Sequence, residues 1–257
     1  MYLSQFSLKG RVAIVTGGSR GIGRAIALGL AEAGADVVVA SRKLADLESV
    51  AGEVSALGRR SLAVATHMGK AEDIQNLVDK VKQEFGRIDV LVNNAGTNPV
   101  FGPVLEGDER AWDHIMSVNL KGYFLMSQAA AKAMIEQKRG VIVNVASVAG
   151  IRPMTGLGFY SVSKAGVIML TRVLASELGQ HNIRVNAIAP GIVKTRFSQA
   201  LWDNPDILQK AVTNAALGRI GEPDEMVGAV LYFASDASSF VTGQTIVLNG
   251  GEVAGAG

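Results

Sequence analysis

Short apolar runs rich in β-branched residues recur along the chain, and segments with helical spacing of apolar residues separate most of them. The runs are continuously apolar rather than alternating, which is typical of strands covered on both faces of a sheet. Crossover helices are predicted over 22–33, 44–57 and 74–85. Seven strands are predicted at 12–15, 37–39, 62–65, 90–92, 141–145, 185–188 and 245–248, the last within a longer run over 241–249.

This alternation of strand and helix predicts the fold class. Right-handed strand–helix–strand units give an α/β fold, a doubly wound sheet of seven parallel strands with helices on both faces. No Ser/Pro-rich linker, low-complexity tract or repeat divides residues 1–257, so a single domain is expected. The segment 195–221 lacks a strand pattern and is predicted to be a helical insertion. It is either a lid over a cleft or an ordinary surface helix.

Composition excludes several classes of protein. An apolar fraction of 48% with 19% charged residues excludes disorder, and a net charge of +2 gives no reason to expect nucleic acid or an anionic membrane as a partner. The chain has no cysteine and only three histidines, without HExxH spacing, so no metal site is expected. The longest uncharged stretch, 90–105, is shorter than the ~20 apolar residues of a membrane helix. Without a recognisable targeting signal, a cytoplasmic location is expected.

A glycine-rich turn, TGGSRGIG at residues 16–23, joins the first predicted strand to the first predicted helix. Glycine permits a tight turn and lets the backbone approach a pyrophosphate, which then meets the free N–H groups of the helix. The turn therefore predicts a dinucleotide site. The residues expected to contact the cofactor are Gly17, Ser19, Arg20, Gly21, Ile22 and Gly23.

The end of the second strand indicates which dinucleotide is bound. An acidic residue there would accept a hydrogen bond from the ribose 2′-hydroxyl of NAD, but the sequence has Ser41, Arg42 and Lys43 instead. Together with Arg20, a hydroxyl and two cations favour the 2′-phosphate of NADP(H). The alternative is that Arg42 and Lys43 are solvated residues at the start of a helix.

Further motifs follow in a fixed order. They are NNAG at 93–96, SVNL around Asn119, Ser147, YSVSK at 160–164, and Pro190-Gly191 followed by Thr195. In this order they resemble the short-chain dehydrogenase/reductase family, classical type, over nearly the whole chain. The resemblance implies a Rossmann-like fold and a homotetramer, with the chain's end, beyond the last strand, at a subunit interface.

The same resemblance implies four catalytic roles. Tyr160 is expected to be the general acid/base, and Ser147 to orient and polarise the substrate oxygen. Lys164 also holds the nicotinamide ribose, and Asn119 binds a water that links Lys164 to solvent as a proton relay. The spacing of Tyr160 and Lys164 independently puts them on one helix face, where an ammonium favours a phenolate. Lowering a tyrosine pKa by about three units from 10 takes about 4 kcal/mol, for which Lys164 and a positive nicotinamide are sources.

The resemblance adds cofactor contacts beyond the glycine turn. Asn94 and Gly96 are expected beneath the adenine ribose, and Val193 and Thr195 against the carboxamide. The strand-end pair Pro190 and Gly191 completes this set. Many relatives have an Asp after the third strand that receives the adenine amino group, whereas this chain has Thr66, His67 and Met68. His67 either accepts through a neutral ring nitrogen or caps the strand.

The predicted substrate pocket is largely apolar, which favours a ketone with a hydrophobic or aromatic body. Arg152 is the exception, either binding an anionic group or facing solvent, and His114 and His181 are expected to be structural. The apolar residues expected in its walls are Val100, Phe101, Ile151, Met154, Leu157, Phe159, Phe197 and Trp202.

Three functions are compatible with these residues. The first is NADPH-dependent reduction of a ketone, possible substrates including 3-oxoacyl thioesters, because THMGKAED and NAGTNPVFGPV resemble the NADP-dependent carbonyl reductases. The second is a sugar, polyol or secondary-alcohol dehydrogenase that works oxidatively. The third is an NADP(H)-binding protein without catalysis, which would have no need of Ser147, Tyr160 and Lys164 together.

Overall fold

The structure, a computed structural model, describes residues 2–252. Its centre is one sheet of seven parallel strands in the order β3-β2-β1-β4-β5-β6-β7. The strands are Val12–Thr16 (β1), Asp36–Ser41 (β2), Ser61–Ala65 (β3), Val90–Asn93 (β4), Gly140–Val145 (β5), Ile183–Pro190 (β6) and Thr245–Leu248 (β7). The predicted doubly wound α/β fold is confirmed, and the order reverses between β1 and β4, where such sheets bind ligands.

Helices cover both faces of this sheet, and they come from the segments that separate the strands. The helices are Gly21–Glu32 (α1), Leu44–Ala56 (α2), Ala71–Phe85 (α3), Glu109–Met116 (α4), Gly122–Glu136 (α5), Gly158–Leu178 (α6), Gln199–Trp202 (α7), Pro205–Asn214 (α8) and Val227–Ala234 (α9). A π-helical segment, Ser117–Lys121, joins α4 to α5.

The core lies in two layers because side chains alternate across each strand. In β1, Ala13 and Val15 pack in one cluster with α1, α2 and α9, whereas Val12 and Ile14 pack in another with α3 and α5. Each fully buried aliphatic side chain contributes roughly 1.5–3 kcal/mol relative to an exposed one. Because both faces are covered, the continuously apolar strands of the sequence are explained.

The last strand is shorter than the apolar run that predicts it. Gly243 adopts a left-handed φ of 73°, and the Thr242 hydroxyl accepts a hydrogen bond from the Val185 amide at 3.0 Å. This turn keeps residues 241–244 out of the regular strand, which begins at Thr245. The strand predicted at 245–248 is therefore confirmed, whereas the longer run over 241–249 is strand only in that part.

The insertion, residues 195–221, leaves the body and returns to it at one place. Val193 and Gly221 form an isolated parallel bridge, and the Gly221 amide donates to the Ile192 carbonyl at 2.9 Å. Between these points lie α7 and α8, so the insertion is helical.

The segment predicted to pack at a subunit interface beyond the last strand falls largely in residues 253–257, which lie outside the described residues. Within 2–252, no helix is both long and apolar enough to cross a bilayer.

Candidate active site

The glycine turn forms one end of a cavity of about 660 Å³ at the carboxyl ends of the strands. A side chain at residue 23 cannot be accommodated, because a Cβ there would lie 2.2 Å from the Gly17 carbonyl oxygen. The Asn94 amide ties the turn to β4 by donating to the carbonyls of Thr16 (2.9 Å) and Gly17 (3.2 Å). The N-cap residue of α1, Arg20, makes no side-chain capping hydrogen bond within residues 2–252, so the N–H groups of this helix end are available to an anion.

Two arginines line this end of the cavity. Arg20 precedes α1 and Arg42 follows β2; both are exposed, and neither forms an ion pair with another residue in 2–252. Ser41 lies beside them in the cavity wall, whereas Lys43 does not line the cavity. The arrangement presents a hydroxyl and two guanidinium groups to an incoming phosphate.

His67 lies in the cavity wall after β3, and one of its ring nitrogens is already used. Its Nδ1 accepts a hydrogen bond from the Gly69 amide at 3.1 Å, within the turn that follows the strand. A neutral imidazole that accepts at Nδ1 carries its proton on Nε2. The histidine therefore caps the turn, and the nitrogen that is left can donate to a ligand but not accept from it.

Asn119 is fully buried in the π-helical segment and does not line the cavity. Its Oδ1 accepts from the Thr97 amide at 2.8 Å, and its Nδ2 donates to the Thr97 carbonyl at 2.9 Å and to the Ser163 hydroxyl at 3.1 Å. The side chain thus holds the loop after β4 against α6. Both N–H donors of the side chain are used, so a water could bind Asn119 only through the second lone pair of Oδ1 or through the backbone.

Lys164 is buried one helical turn after Tyr160, on α6. Its Nζ donates to the Val145 carbonyl at 2.7 Å and to the Tyr123 hydroxyl at 3.4 Å. Burial lowers the pKa of Lys164 to about 7. Tyr123 was not predicted as a site residue; its place one turn after Asn119 is the signal that could have revealed it.

The pKa of Tyr160 is raised in this structure, whereas Lys164 and a bound nicotinamide were predicted to lower it. Burial raises the pKa of Tyr160 to about 12, and only a hydrogen bond from Ser147 opposes the rise. The Lys164 ammonium lies 5.7 Å from the Tyr160 ring centre and is directed to the Val145 carbonyl. The phenol is consequently protonated at neutral pH.

Ser147 follows β5 and lies in the cavity wall with Tyr160. Its Oγ accepts a hydrogen bond from the Ala149 amide at 3.1 Å, which leaves the hydroxyl proton free to be donated. Phe197, from the insertion, lies over the tyrosine with ring centres 5.8 Å apart. The arrangement places two O–H donors beneath an aromatic cover.

Most of the predicted apolar wall is present, and Val100, Phe101, Met154, Leu157 and Phe197 line the cavity. Ile151, Phe159 and Trp202 do not line it. Ile151 is 55% exposed; the other two side chains have partners elsewhere. Phe159 meets Trp112 edge to face, and the Trp202 indole donates to the Thr195 carbonyl at 3.0 Å.

Charged residues in and near the substrate end depart most from expectation. His114, expected to be structural, is exposed and lines the cavity, whereas His181 lies in a short helical turn after α6. Arg152 was expected either to bind an anionic group of the substrate or to face solvent. Instead, it forms an ion pair with Glu252. Glu252 itself lines the cavity, and no sequence motif predicted it as a site residue.

The residues present fit a nicotinamide dinucleotide. One cavity joins uncapped helix N–H groups and two guanidinium groups without ion pairs in residues 2–252 to the hydroxyls of Ser147 and Tyr160. Ser147, Tyr160 and Lys164 share its wall with all the predicted cofactor residues. Those are Gly17, Ser19, Arg20, Gly21, Ile22, Gly23, Ser41, Arg42, His67, Met68, Asn94, Gly96, Tyr160, Lys164, Pro190, Gly191, Val193 and Thr195. In residues 2–252, no group of three or more His, Cys, Asp or Glu side chains is placed to hold a metal.

Comparison with known proteins identifies relatives along the whole chain. A family model described as enoyl-(acyl carrier protein) reductase matches residues 17–252. Dehydrogenase/reductase SDR family member 4 of Oryctolagus cuniculus is 41% identical over 244 residues, 95% of this chain and 94% of the relative. The 2-dehydro-3-deoxy-D-gluconate 5-dehydrogenase of Escherichia coli K12 is 42% identical over 255 residues, 99% and 100% of the two chains.

Solved structures agree with these sequence matches. A gluconate 5-dehydrogenase from Burkholderia cenocepacia J2315, in complex with NADP and tartrate, superposes with a TM-score of 0.95 at 33% identity and covers 100% of both chains. The fold, the order of the motifs and the shared cavity lead to the same conclusion as these matches. The chain belongs to the classical short-chain dehydrogenase/reductases, a family of oxidoreductases that act on alcohol and carbonyl groups.

Proposed function

We propose that the protein reduces a neutral ketone to a secondary alcohol with NADPH. The observation that carries the cofactor choice is the charge at the end of β2. Arg42 and Arg20 face the cavity there without an acidic partner, and no acidic side chain of residues 2–252 lines that end. A ribose 2′-phosphate would gain charge-assisted hydrogen bonds that a 2′-hydroxyl cannot make.

The protonation state of Tyr160 supports reduction as the working direction. With a pKa of about 12 the phenol is protonated at neutral pH, which is the form a general acid needs. Bound NADPH would supply the hydride. Ser147 would donate to the carbonyl oxygen and hold it against the phenol, which transfers its proton as the oxygen gains charge. Lys164, with a pKa of about 7, can release and regain a proton at neutral pH and would restore the tyrosine.

The walls around these groups support a substrate with an apolar body. Phe101, Met154 and Leu157 approach from the loops after β4 and β5, and Phe197 covers Tyr160 from the insertion. In this proposal the insertion is a lid that excludes water while the proton is transferred.

A second candidate is the oxidation of a sugar acid or polyol, and one observation favours it. Asn98 lines the cavity, and its Oδ1 is buried without a hydrogen-bond partner in residues 2–252. A substrate hydroxyl could donate to this atom. The relatives named as gluconate dehydrogenases act on substrates of that kind by name. Asn98→Leu would then impair keto-sugars and polyols but spare simple ketones.

The cofactor choice is tested by a double substitution, Ser41→Asp with Arg42→Ala. The wild type should bind NADPH at least ten times more tightly than NADH, and the variant should reverse this order because a carboxylate repels the phosphate and accepts from a ribose hydroxyl. Equal affinity of the wild type for the two cofactors would contradict the proposal. A consumption screen of aryl ketones, 3-oxoacyl esters, retinal-like aldehydes and keto-sugars with NADPH and NADH separates the two candidate functions.

We further propose that the protein is a homotetramer, which two separate exposed apolar faces support, and that it is cytoplasmic, as expected from the sequence. On α6, Val162, Met169 and Val173 point outward and are 43–55% exposed. Beside the edge strand β7, Leu217 and Val247 are also exposed. Two different self-complementary faces generate a tetramer, whereas one generates a dimer. Light scattering should give about four times the 26.9-kDa chain mass, and Met169→Lys should reduce it to a dimer.

A further inference from the structure

Glu252 is the only acidic side chain that lines the cavity in the described part of the chain. The other charged groups in its wall are basic: two arginines at the phosphate end, Lys164 in the centre, and Arg196 on the insertion. Glu252 lies at the opposite end from Arg42, next to β6 and β7, on the side of the sheet that carries Ser147 and Tyr160. A single carboxylate in the described wall of the cavity that also holds Ser147 and Tyr160 is placed to select substrates by charge.

The backbone that carries Glu252 is a defined turn. Gly250 and Gly251 both have left-handed φ angles, 64° and 73°, which other residues rarely adopt. The Glu252 amide donates to the Asn249 carbonyl at 3.2 Å, and the Asn249 side chain donates to the Glu252 carbonyl at 3.0 Å. A Cβ at residue 251 would also lie 2.9 Å from the Cβ of Ala216. The turn therefore fixes where the carboxylate enters the cavity.

The carboxylate has a dedicated counter-charge behind it. Arg152, five residues after Ser147, forms an ion pair with Glu252, and its own amide is held by the Val148 carbonyl at 3.0 Å. The two side chains are only 28% and 16% exposed. Glu252 lines the cavity while Arg152 does not, so the carboxylate stands between the guanidinium and the space for substrate.

We propose that Glu252 is a specificity-determining residue that excludes carboxylate-bearing substrates and admits neutral ones. This proposal rests on the proposed function, because it assumes that a carbonyl substrate binds in this cavity. An anionic substrate would meet a like charge in a partly buried site, where repulsion is weakly screened. Arg152 offsets this repulsion only in part, because the carboxylate lies between the guanidinium and the space for substrate.

The test compares one carbonyl group with and without a neighbouring charge. The probes are acetoacetate and its ethyl ester, and the measured quantity is the ratio of kcat/KM for the ester to that for the acid. Glu252→Gln should lower this ratio at least tenfold, equivalent to about 1.4 kcal/mol, through a lower KM for the acid. Activity on the ester should stay within threefold, which shows that the fold and the catalytic groups are intact.

Two further variants isolate the pair. Arg152→Gln leaves Glu252 without its counter-charge and should raise the ratio or leave it unchanged. The double variant should lower the ratio less than Glu252→Gln does, because no guanidinium remains to receive the acid. Glu84→Gln removes a carboxylate from the ion pair with Arg60, away from the cavity, and is the matched control. A ratio within twofold of the wild type in Glu252→Gln, or an equal change in Glu84→Gln, would overturn the proposal.

A binding measurement separates this inference from the proposed function. Calorimetry of acetoacetate and its ester in the presence of NADP⁺ reports affinity without turnover, because a ketone cannot be reduced by the oxidised cofactor. Glu252→Gln should tighten the binding of acetoacetate at least tenfold and leave the binding of its ester unchanged. Unchanged binding of acetoacetate would overturn the proposed role of Glu252. Failure of the wild type to reduce any neutral ketone would instead contradict the proposed function, and the calorimetric result would still decide the role of Glu252.

Discussion

The protonation of Tyr160 can be tested by raising the pH of the protein without cofactor. With a pKa of about 12, about 1% of this phenol is ionised at pH 10, whereas an ordinary tyrosine is about half ionised. The difference arises from burial, which the Ser147 hydrogen bond only partly offsets. Because Lys164, with a pKa of about 7, is neutral at pH 10 and is directed to the Val145 carbonyl, Lys164→Met should leave the ionised fraction at pH 10 unchanged.

The assay is the ultraviolet absorbance of tyrosinate, measured as wild type minus Tyr160→Phe so that the other three tyrosines cancel. Circular dichroism at each pH confirms that both proteins are folded. Half-ionisation of Tyr160 at or below pH 10 would refute the reasoning, as would a rise in its pKa on Lys164→Met. The raised pKa also predicts how the rate depends on pH. Because Tyr160 keeps its proton up to pH 10, its ionisation should not lower the rate of ketone reduction between pH 7 and 10.

Three further substitutions test the scaffold of the site. Asn119→Ala removes three buried hydrogen bonds to Thr97 and Ser163. At ~1 kcal/mol each, the free energy of unfolding measured in urea should fall by about 3 kcal/mol. A fall of less than ~1 kcal/mol would show that these hydrogen bonds do not stabilise the loop. Gly23→Ala should weaken NADPH binding more than tenfold in a fluorescence titration, because its Cβ would displace the Gly17 carbonyl; unchanged affinity would contradict that contact. Gly52→Ala, in the interior of α2 with open space around it, should stabilise the protein by about 0.5–1 kcal/mol without changing cofactor affinity, and a destabilisation would contradict it.

The fold could be predicted from the sequence because its signals are local. A strand with a continuous apolar run, such as residues 12–15 of β1, must be covered on both faces, and the helices that cover it follow in the intervening segments. The start of β7 was harder to predict, because Val241 belongs to the same run of residues but Gly243 turns the backbone before the strand begins. Periodicity indicates burial but not the φ angle of one glycine.

The site was predictable where chemistry is carried by contiguous motifs and not where it depends on distant contacts. The glycine turn and the Tyr160–Lys164 pair lie within single short segments. The direction in which Lys164 points depends on Val145 and Tyr123, which approach from other elements, so the sequence could not show that burial, rather than Lys164, dominates the pKa of Tyr160. The Arg152–Glu252 pair joins residues 100 positions apart, and no pattern relates them.

The central claim is that Tyr160 donates the proton in an NADPH-dependent ketone reduction. Tyr160→Phe retains the ring and its contact with Phe197 but has no proton to give. With a ketone identified in the screen, kcat/KM should fall at least a thousandfold, or about 4 kcal/mol, while the Kd for NADPH stays within twofold of the wild type. A variant that binds NADPH normally and retains a tenth or more of the wild-type kcat/KM would contradict the account.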